Sequence, residues 1–318
     1  MNKEESIERF QIPKDLSGKR ADVAISSLLT SITRSQIKRM LDEGLILVEG
    51  KPIRPSKKLS GGEDVCVTFV SPEPLEAQPQ DIQVPIIYED DDIIVVNKPP
   101  GITVHPGAGI KDGTLVNALL YKCLGLSGIG GKLRPGIVHR LDKGTSGVMV
   151  VAKNDFAHNS LVNQFKSHET KKRYLALVVG DIKGESGSFS SLIGRHPKNR
   201  IKMTTKVRAG REAFTLWRVI KRYKEVTMVE VEPKTGRTHQ IRVHFAENGY
   251  PILGDKMYGV KKHKSELLER LSKCLARQAL HALTLNFKHP RTGENLEFSA
   301  PIPDDIKAVI KLLENELD

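Results

Sequence analysis

Two short segments of this sequence crowd charged and hydroxyl side chains together in ways that could do chemistry. The first is Gly136-Ile137-Val138-His139-Arg140-Leu141-Asp142-Lys143-Gly144-Thr145-Ser146-Gly147, which runs straight into the apolar stretch Val148 to Ala152. Asp142 stands between Arg140 and Lys143. Cationic neighbours hold a carboxylate ionised, as a nucleophile requires, and the Gly, Thr, Ser, Gly run lets another backbone approach closely. Taken alone, such a pattern more often marks an ordinary surface ion pair in a turn. The second segment is Lys234-Thr235-Gly236-Arg237-Thr238-His239-Gln240-Ile241-Arg242-Val243-His244-Phe245. Thr238 or Thr235 could cap a helix on which Thr238, Ile241, Arg242 and Phe245 share a face. Arg242 would then point inwards among apolar neighbours, where it needs an anionic partner. Asp142 is the carboxylate whose own surroundings most invite one.

Other chemistries fail on spacing. In Gly125-Leu126-Ser127-Gly128-Ile129-Gly130-Gly131-Lys132-Leu133 a phosphate loop ending at Lys132 would need glycine at Leu126 and Ser or Thr at Leu133, so the segment is read as a mobile loop. Ser146 lacks the G-x-S-x-G frame of a hydrolase elbow. The histidines show no H-E-x-x-H or comparable metal spacing, and Cys66, Cys123 and Cys274 are far apart with no C-x-x-C, so they are expected to be small buried apolar residues. No cofactor and no metal is expected.

The elements that must position these segments follow from periodicity. Strand-like stretches are Asp92 to Asn97, Val148 to Val151, Tyr174 to Val179, Phe214 to Ile220, Val226 to Val231 and His281 to Phe287. Helical ones are Leu115 to Leu124, Phe156 to Lys166, His239 to Glu247, Ser265 to Ala276 and Asp304 to Leu317. Mostly consecutive strands with irregularly spaced helices imply α+β with a mixed, largely antiparallel sheet. Ahead of them, residues 14–75 read as a separate small unit: a helix carrying Val23, Ile25, Leu28 and Leu29, a second opened by Ser35, a hairpin around Glu49-Gly50 and a strand with Val65, Val67 and Phe69. Residues 76–84, in a stretch holding Pro72, Pro74, Pro79 and Pro85, read as an extended linker, and 85–318 as the larger domain.

Composition narrows the partner. With 318 residues, 39% hydrophobic, the chain can bury a real core, and no run approaches a membrane helix. A net charge of +12 favours a polyanion. Glu4, Glu5 and Glu8 stand where a signal peptide would need a basic start, so a cytoplasmic protein is expected. Two basic surfaces suit RNA phosphates: Arg34, Lys38 and Arg39 on the second small helix, and the acid-free stretch holding Arg195, Lys198, Arg200, Lys202, Lys206, Arg208 and Arg211. A solvated surface is the plainer meaning of either.

The Arg20-Ala21-Asp22 opening, Thr33-Arg34-Ser35-Gln36-Ile37, Gly44-Leu45-Ile46-Leu47-Val48-Glu49-Gly50 and Gly61-Gly62-Glu63-Asp64 together resemble the S4 RNA-binding domain, which implies a partner class and no reaction. From about residue 85 onward the two segments described first, with Asn97-Lys98-Pro99-Pro100-Gly101-Ile102-Thr103-Val104-His105-Pro106-Gly107-Ala108-Gly109, Lys171-Lys172-Arg173-Tyr174, Gly254-Asp255-Lys256-Met257-Tyr258-Gly259 and Arg277-Gln278-Ala279-Leu280-His281-Ala282, resemble the RluA-type pseudouridine synthases, and most the D-type branch of the large ribosomal subunit. The resemblance implies a cofactor-free isomerisation of uridine in ribosomal RNA. It implies that Asp142 acts on the target uridine so that the glycosidic bond breaks, that Arg242 pairs with the aspartate, that Tyr174 stacks on the base, and that Arg140 fills the gap left by the flipped nucleotide. Two positions depart from the family: Gly144, where Asp is usual, and Lys256, where Pro is usual. The expectation is therefore a monomeric two-domain rRNA pseudouridine synthase, with the modified uridines and any protein partners left open by the residues. The same reaction on another rRNA site or on tRNA stands beside it, as does a non-catalytic RNA-binding assembly factor.

Overall fold

Ile93-Ile94-Val95-Val96 offers no polar position, so as a strand it must be covered on both faces, and all four side chains are fully buried in the sheet that carries the candidate site. The computed structural model describes residues 5–29, 32, 34–70, 77–107, 109–123, 126, 135–260 and 265–316. It divides into two units, Met1–Pro74 and Leu75–Asp318. The glycine-rich segment 125–133, apart from Leu126, lies outside the described residues, as do Thr33, Pro72 and Pro74.

The first unit is built from β1 (Glu5–Gln11), α1 (Ala21–Leu28), α2 (Arg34–Asp42), β2 (Ile46–Val48), β3 (Lys51–Pro52) and β4 (Asp64–Val70). Its antiparallel sheet runs β1-β4-β2-β3, and Ile25, Ile37, Leu41, Ile46, Val65 and Val67 fill its core. Glu49 and Gly50 take the positive φ values of 52° and 69° that a tight hairpin turn demands. β1 precedes residue 14, where the sequence reading starts this unit; its alternation is masked by charge, and pairing with β4 is what makes it a strand.

In the second unit the chain runs through β5 (Ile86–Glu89), β6 (Ile93–Lys98), α3 (Leu115–Lys122), β7 (Ser146–Ala152), α4 (Asp155–Lys166), β8 (Lys171–Val179), β9 (Ser186–Arg195), β10 (Met203–Thr204), β11 (Arg211–Arg222), β12 (Val226–Pro233), α5 (Gln240–Glu247), α6 (Glu266–Cys274), β13 (Leu280–Lys288), β14 (Asn295–Ser299) and α7 (Asp304–Asn315). The strands form one sheet in the order β10-β9-β11-β12-β8-β13-β7-β6-β5, with β14 on β13. This is the expected mixed, largely antiparallel α+β fold. Only β7 and β13 are parallel among the described residues, through His281↔Ser146 and Ala282↔Gly147. Gly147 makes that crossing possible: its φ is +118°, and a Cβ there would stand 2.1 Å from the Ala282 carbonyl oxygen.

Two apolar clusters flank the sheet. One joins β6 and β7 to α3 and α4; the other joins β8 and β12 to α5, α6 and α7, and Tyr174 touches both. Residues 77–84, expected to be a spacer, are packed on this unit. Val84 is buried, the Gln78 carbonyl accepts from Asn117 Nδ2 at 2.8 Å, and Gln80 Oε1 accepts from the Gly113 N–H at 2.7 Å. An extended, proline-bearing strand of chain leaves its own polar groups unpaired, so it gains by docking on polar groups nearby. Of the cysteines, Cys123 is buried, Cys66 is half-buried and Cys274 is exposed at the end of α6, so burial describes only the first.

Candidate active site

Asp142 sits in the turn just before β7, and the fold grips that turn from two sides. Lys98, at the end of β6 and fully buried, donates from Nζ to the carbonyls of Pro99 at 2.8 Å, Ile102 at 3.0 Å and Lys143 at 3.4 Å. Burial, with the charge of Arg277, pushes Lys98 down to about 7, and Asp142 opposes the shift. From the other side Arg277 Nη1 donates to the Gly144 carbonyl at 3.0 Å, and Gln278 Nε2 donates to Thr145 Oγ1 at 3.1 Å. His139, three residues ahead of Asp142, stacks on Phe165 with centroids 4.5 Å apart and accepts the Val150 N–H at Nε2. Burial pushes it down to about 3, so it is a neutral structural ring at neutral pH.

Arg242 enters from α5, one turn below the helix start. Its Nη1 donates to Asp142 Oδ2 at 2.9 Å, so the structure brings together the two residues that the sequence paired. Its larger commitment is to a different carboxylate. Nε and Nη2 form a two-pronged contact with Asp255 at 2.7 and 2.9 Å, and the Asp255 side chain is fully buried. Burial opposes charge on both groups, yet their mutual attraction holds Arg242 above the ordinary arginine value and Asp255 below the ordinary carboxylate value. Asp255 Oδ1 also accepts the N–H groups of Met257 and Tyr258. The Arg242 guanidinium lies 5.1 Å from the centre of the Tyr258 ring.

The start of α5 differs from the expected threonine cap. His239 occupies the cap position in the left-handed region, at φ 57° and ψ 18°, with no side-chain cap bond. Thr235 instead donates to Gln240 Oε1, which also accepts the Arg237 N–H, so the glutamine side chain ties the turn ahead of the helix to its first residue. Thr238 therefore lies outside the helix.

Asp142, Arg140, Tyr174, His239 and Arg242 line one cavity of about 500 Å³. Arg140 is exposed there. Tyr174 projects from β8, opposite Val231 of β12 and Ala282 of β13. Burial and the negative charge of Asp142 raise its hydroxyl above the ordinary tyrosine value, so it stays protonated at neutral pH. Lys172, two residues earlier on the same face of β8, lines the cavity too, 5.7 Å from the Phe165 ring centre. The cavity, walled by an aromatic ring, a carboxylate and cations, has room for a ligand of nucleoside size.

The RNA pseudouridylate synthase family matches residues 92–247, and the S4 domain family matches residues 19–65. An "Uncharacterized RNA pseudouridine synthase" of Aquifex aeolicus is 47% identical over 300 residues, 93% of this chain and 94% of its own length. The chain belongs to the RNA pseudouridine synthase family. A second relative of the synthase, "Ribosomal large subunit pseudouridine synthase D" of Neisseria meningitidis serogroup B, is 44% identical over 96% of this chain and 81% of its own length. The solved structure "Human RNA Pseudouridylate Synthase Domain Containing 4" superposes with a TM-score of 0.58 at 25% identity, covering 72% of this chain and 93% of that one.

The two departures from the family pattern have plain structural settings. A Cβ on Gly144 would stand 2.4 Å from Gln278 Oε1, so a side chain there must displace Gln278, while Lys256 is exposed. Among the basic residues singled out by sequence, Arg34 is engaged. Its Nη2 stands 2.8 Å from Asp22, a nearly fully buried carboxylate that Arg20 also contacts, because a buried carboxylate must be paired. Lys38 and Arg39 are exposed. In the stretch from the end of β9 to β11, Arg195, Lys198, Arg200, Lys206 and Arg208 are exposed; none forms an ion pair within 4.0 Å among the described residues, and the charge of Lys206 acts on Glu247. Lys202 instead rests 5.6 Å from the Tyr258 ring centre. Sequence reasoning gave no role to Asp255, His239, Tyr258 or Lys98. Asp255 had a signal, since an inward arginine on an apolar helix face can use more than one carboxylate and Asp255 stands in a motif already noted.

Proposed function

We propose that the synthase converts uridine to pseudouridine in large-subunit ribosomal RNA, with Asp142 as its catalytic residue. The observation that carries this reading is the position of Asp142: 16% exposed at the wall of the cavity, its Oδ2 tied by Arg242 and its Oδ1 accepting no hydrogen bond from a described residue. The substrate class rests on the relative from Neisseria meningitidis, which carries that activity in its name and matches nearly the whole chain.

The target uridine must leave its stack to reach this depth, at a cost of a few kcal/mol. Arg140 fills the vacated position and the Tyr174 ring receives the base face, a reading supported by their both lining the cavity. Asp142 acts on the bound uridine so that the bond from N1 to the ribose breaks. The uracil turns within the cavity and rejoins the same ribose carbon through C5; C5 gives up its proton and N1 takes one up, so no group is gained or lost. Arg242 aims the carboxylate, while Asp255 aims Arg242. Arg195, Lys198, Arg200, Lys206 and Arg208 supply phosphate contacts, with Lys38 and Arg39 of the first unit. The test is pseudouridine mapping of ribosomal RNA from cells with and without the gene, complemented by wild type or Asp142→Asn. Loss of particular large-subunit pseudouridines, restored by wild type alone, supports the reading; an unchanged map, or restoration by Asp142→Asn, refutes it.

A further inference from the structure

The two oxygens of Asp142 are treated differently by the fold. Oδ2 receives Arg242 Nη1 at 2.9 Å, whereas Oδ1 accepts no hydrogen bond from a described residue and faces the His239 ring, whose Nε2 stands 4.0 Å away. The other ring nitrogen decides which proton that histidine carries. The Tyr258 oxygen accepts the Met203 N–H at 2.8 Å, which leaves its own hydrogen to donate, and His239 Nδ1 lies 2.9 Å from it. A neutral imidazole that accepts at Nδ1 bears its hydrogen on Nε2, the nitrogen turned to Asp142. Burial lowers His239 below the ordinary histidine value, with Asp142 opposing, so the neutral ring is the form present at neutral pH.

Backbone geometry delivers the ring there. His239 holds its left-handed conformation at the mouth of α5, three residues before Arg242, so one helix end aims both groups at one carboxylate. Tyr258 in turn is fixed from the basic hairpin: Met203 belongs to β10, and Lys202 lies over the same aromatic ring. Glu247 anchors that hairpin by accepting from the Thr204 and Thr205 hydroxyls.

We propose that His239 is a positioning residue for Asp142, steering Oδ1 through its Nε2–H, and that Tyr258, held by the Met203 amide of the basic hairpin, sets the tautomer that makes this possible. The proposal rests on the reading of Asp142 as the catalytic residue. The 4.0 Å separation lies about 1 Å beyond an ordinary hydrogen bond, a gap that a small rotation of the carboxylate closes. It also ties the hairpin to the carboxylate by a continuous path, Met203 to Tyr258 to His239.

The test uses the full chain and in vitro transcribed large-subunit ribosomal RNA, with the single-turnover rate at saturating enzyme and the RNA dissociation constant measured separately. His239→Leu is expected to slow the rate by about a hundredfold, as misplacement of a catalytic group does, with affinity held within about twofold. His239→Gln, whose amide nitrogen reaches towards the same oxygen, recovers at least about tenfold of that loss, and Tyr258→Phe alone costs about tenfold. The double variant His239→Leu with Tyr258→Phe is no slower than His239→Leu, because both act on one path. Equal losses for Leu and Gln, a loss confined to affinity, a wild-type rate in Tyr258→Phe or additive losses in the double variant each overturn the proposal. If His239→Leu does not fold, His239→Gln and Tyr258→Phe decide the matter alone. Asp142→Asn run in parallel separates the two claims. Its activity would refute the assignment of Asp142, whereas an inactive Asp142→Asn beside a fully active His239→Leu refutes only the role of His239.

Discussion

Replacing Arg242 by Met should unfold the second unit at a much lower temperature than any change at Asp142, although both abolish turnover. Arg242 makes three charge-assisted contacts, two to Asp255 and one to Asp142. Its loss strands Asp255, whose side chain is fully buried and would keep only the N–H groups of Met257 and Tyr258, both on Oδ1. Breaking a buried pair from one side costs about 3 to 5 kcal/mol. At roughly 2 to 4 °C per kcal/mol for a unit of this size, the melting temperature should fall by about 6 to 20 °C. Asp142→Asn removes one contact from a partly exposed carboxylate and leaves the Arg242–Asp255 pair whole, so its melting temperature should fall by only about 2 to 4 °C. The compensated pair Arg242→Met with Asp255→Leu removes both buried charges and should recover most of the lost stability without recovering activity. Thermal unfolding by circular dichroism and single-turnover pseudouridine formation read the two effects separately. The reasoning fails if Asp142→Asn is as destabilising as Arg242→Met, or if the compensated double variant turns over.

Acid should weaken the second unit well above the carboxylate range. His139 and His244 are pushed down by burial to about 3 and about 4, so the unfolded chain binds their protons first, and stability is lost as pH falls below about 6.5, by at most about 1.4 kcal/mol per pH unit for each. Thermal melts from pH 7.5 to 5 check this, and a flat profile contradicts it. Lys206→Ala should weaken RNA binding modestly and shallow the slope of log affinity against log salt by about one, as a single phosphate contact does; an unchanged slope in a salt titration removes Lys206 from the interface. Residues 75–318 alone should remain folded and bind RNA less tightly, because the apolar core of the first unit shares no residue with those of the second; a truncated chain with no cooperative melt would show that the units depend on each other.

Much of this protein is written in contiguous stretches. The alternation in β11 and β12, the unbroken apolar run of β6, the hairpin turn at Glu49-Gly50 and the amphipathic periodicity of α7 are local, and local preference decides them wherever each residue's neighbours in sequence are also its neighbours in space. Asp142 was legible for the same reason, since Arg140, Lys143 and the glycines that shape its turn lie within a few residues. The need of Arg242 for a carboxylate was legible from helix phase, across 100 residues of chain. Which carboxylate would hold it most firmly was not. Asp255 gains its grip from a turn whose Gly254 packs against the Arg277 carbonyl, a contact that exists only once that loop lies against α5. β9 escaped notice because its side chains alternate between exposed and half-buried positions, so Ser186 to Arg195 carry little apolar signal, and hydrogen bonds to β11 make them a strand. The parallel meeting of β7 with β13, the docking of residues 77–84 and the path from Met203 through Tyr258 to His239 belong to the same class. Each depends on groups far apart in sequence arriving close to one another, from 2.8 Å at Gln78 and Met203 to 4.0 Å at His239, and only the closed sheet with its helices in place sets such distances.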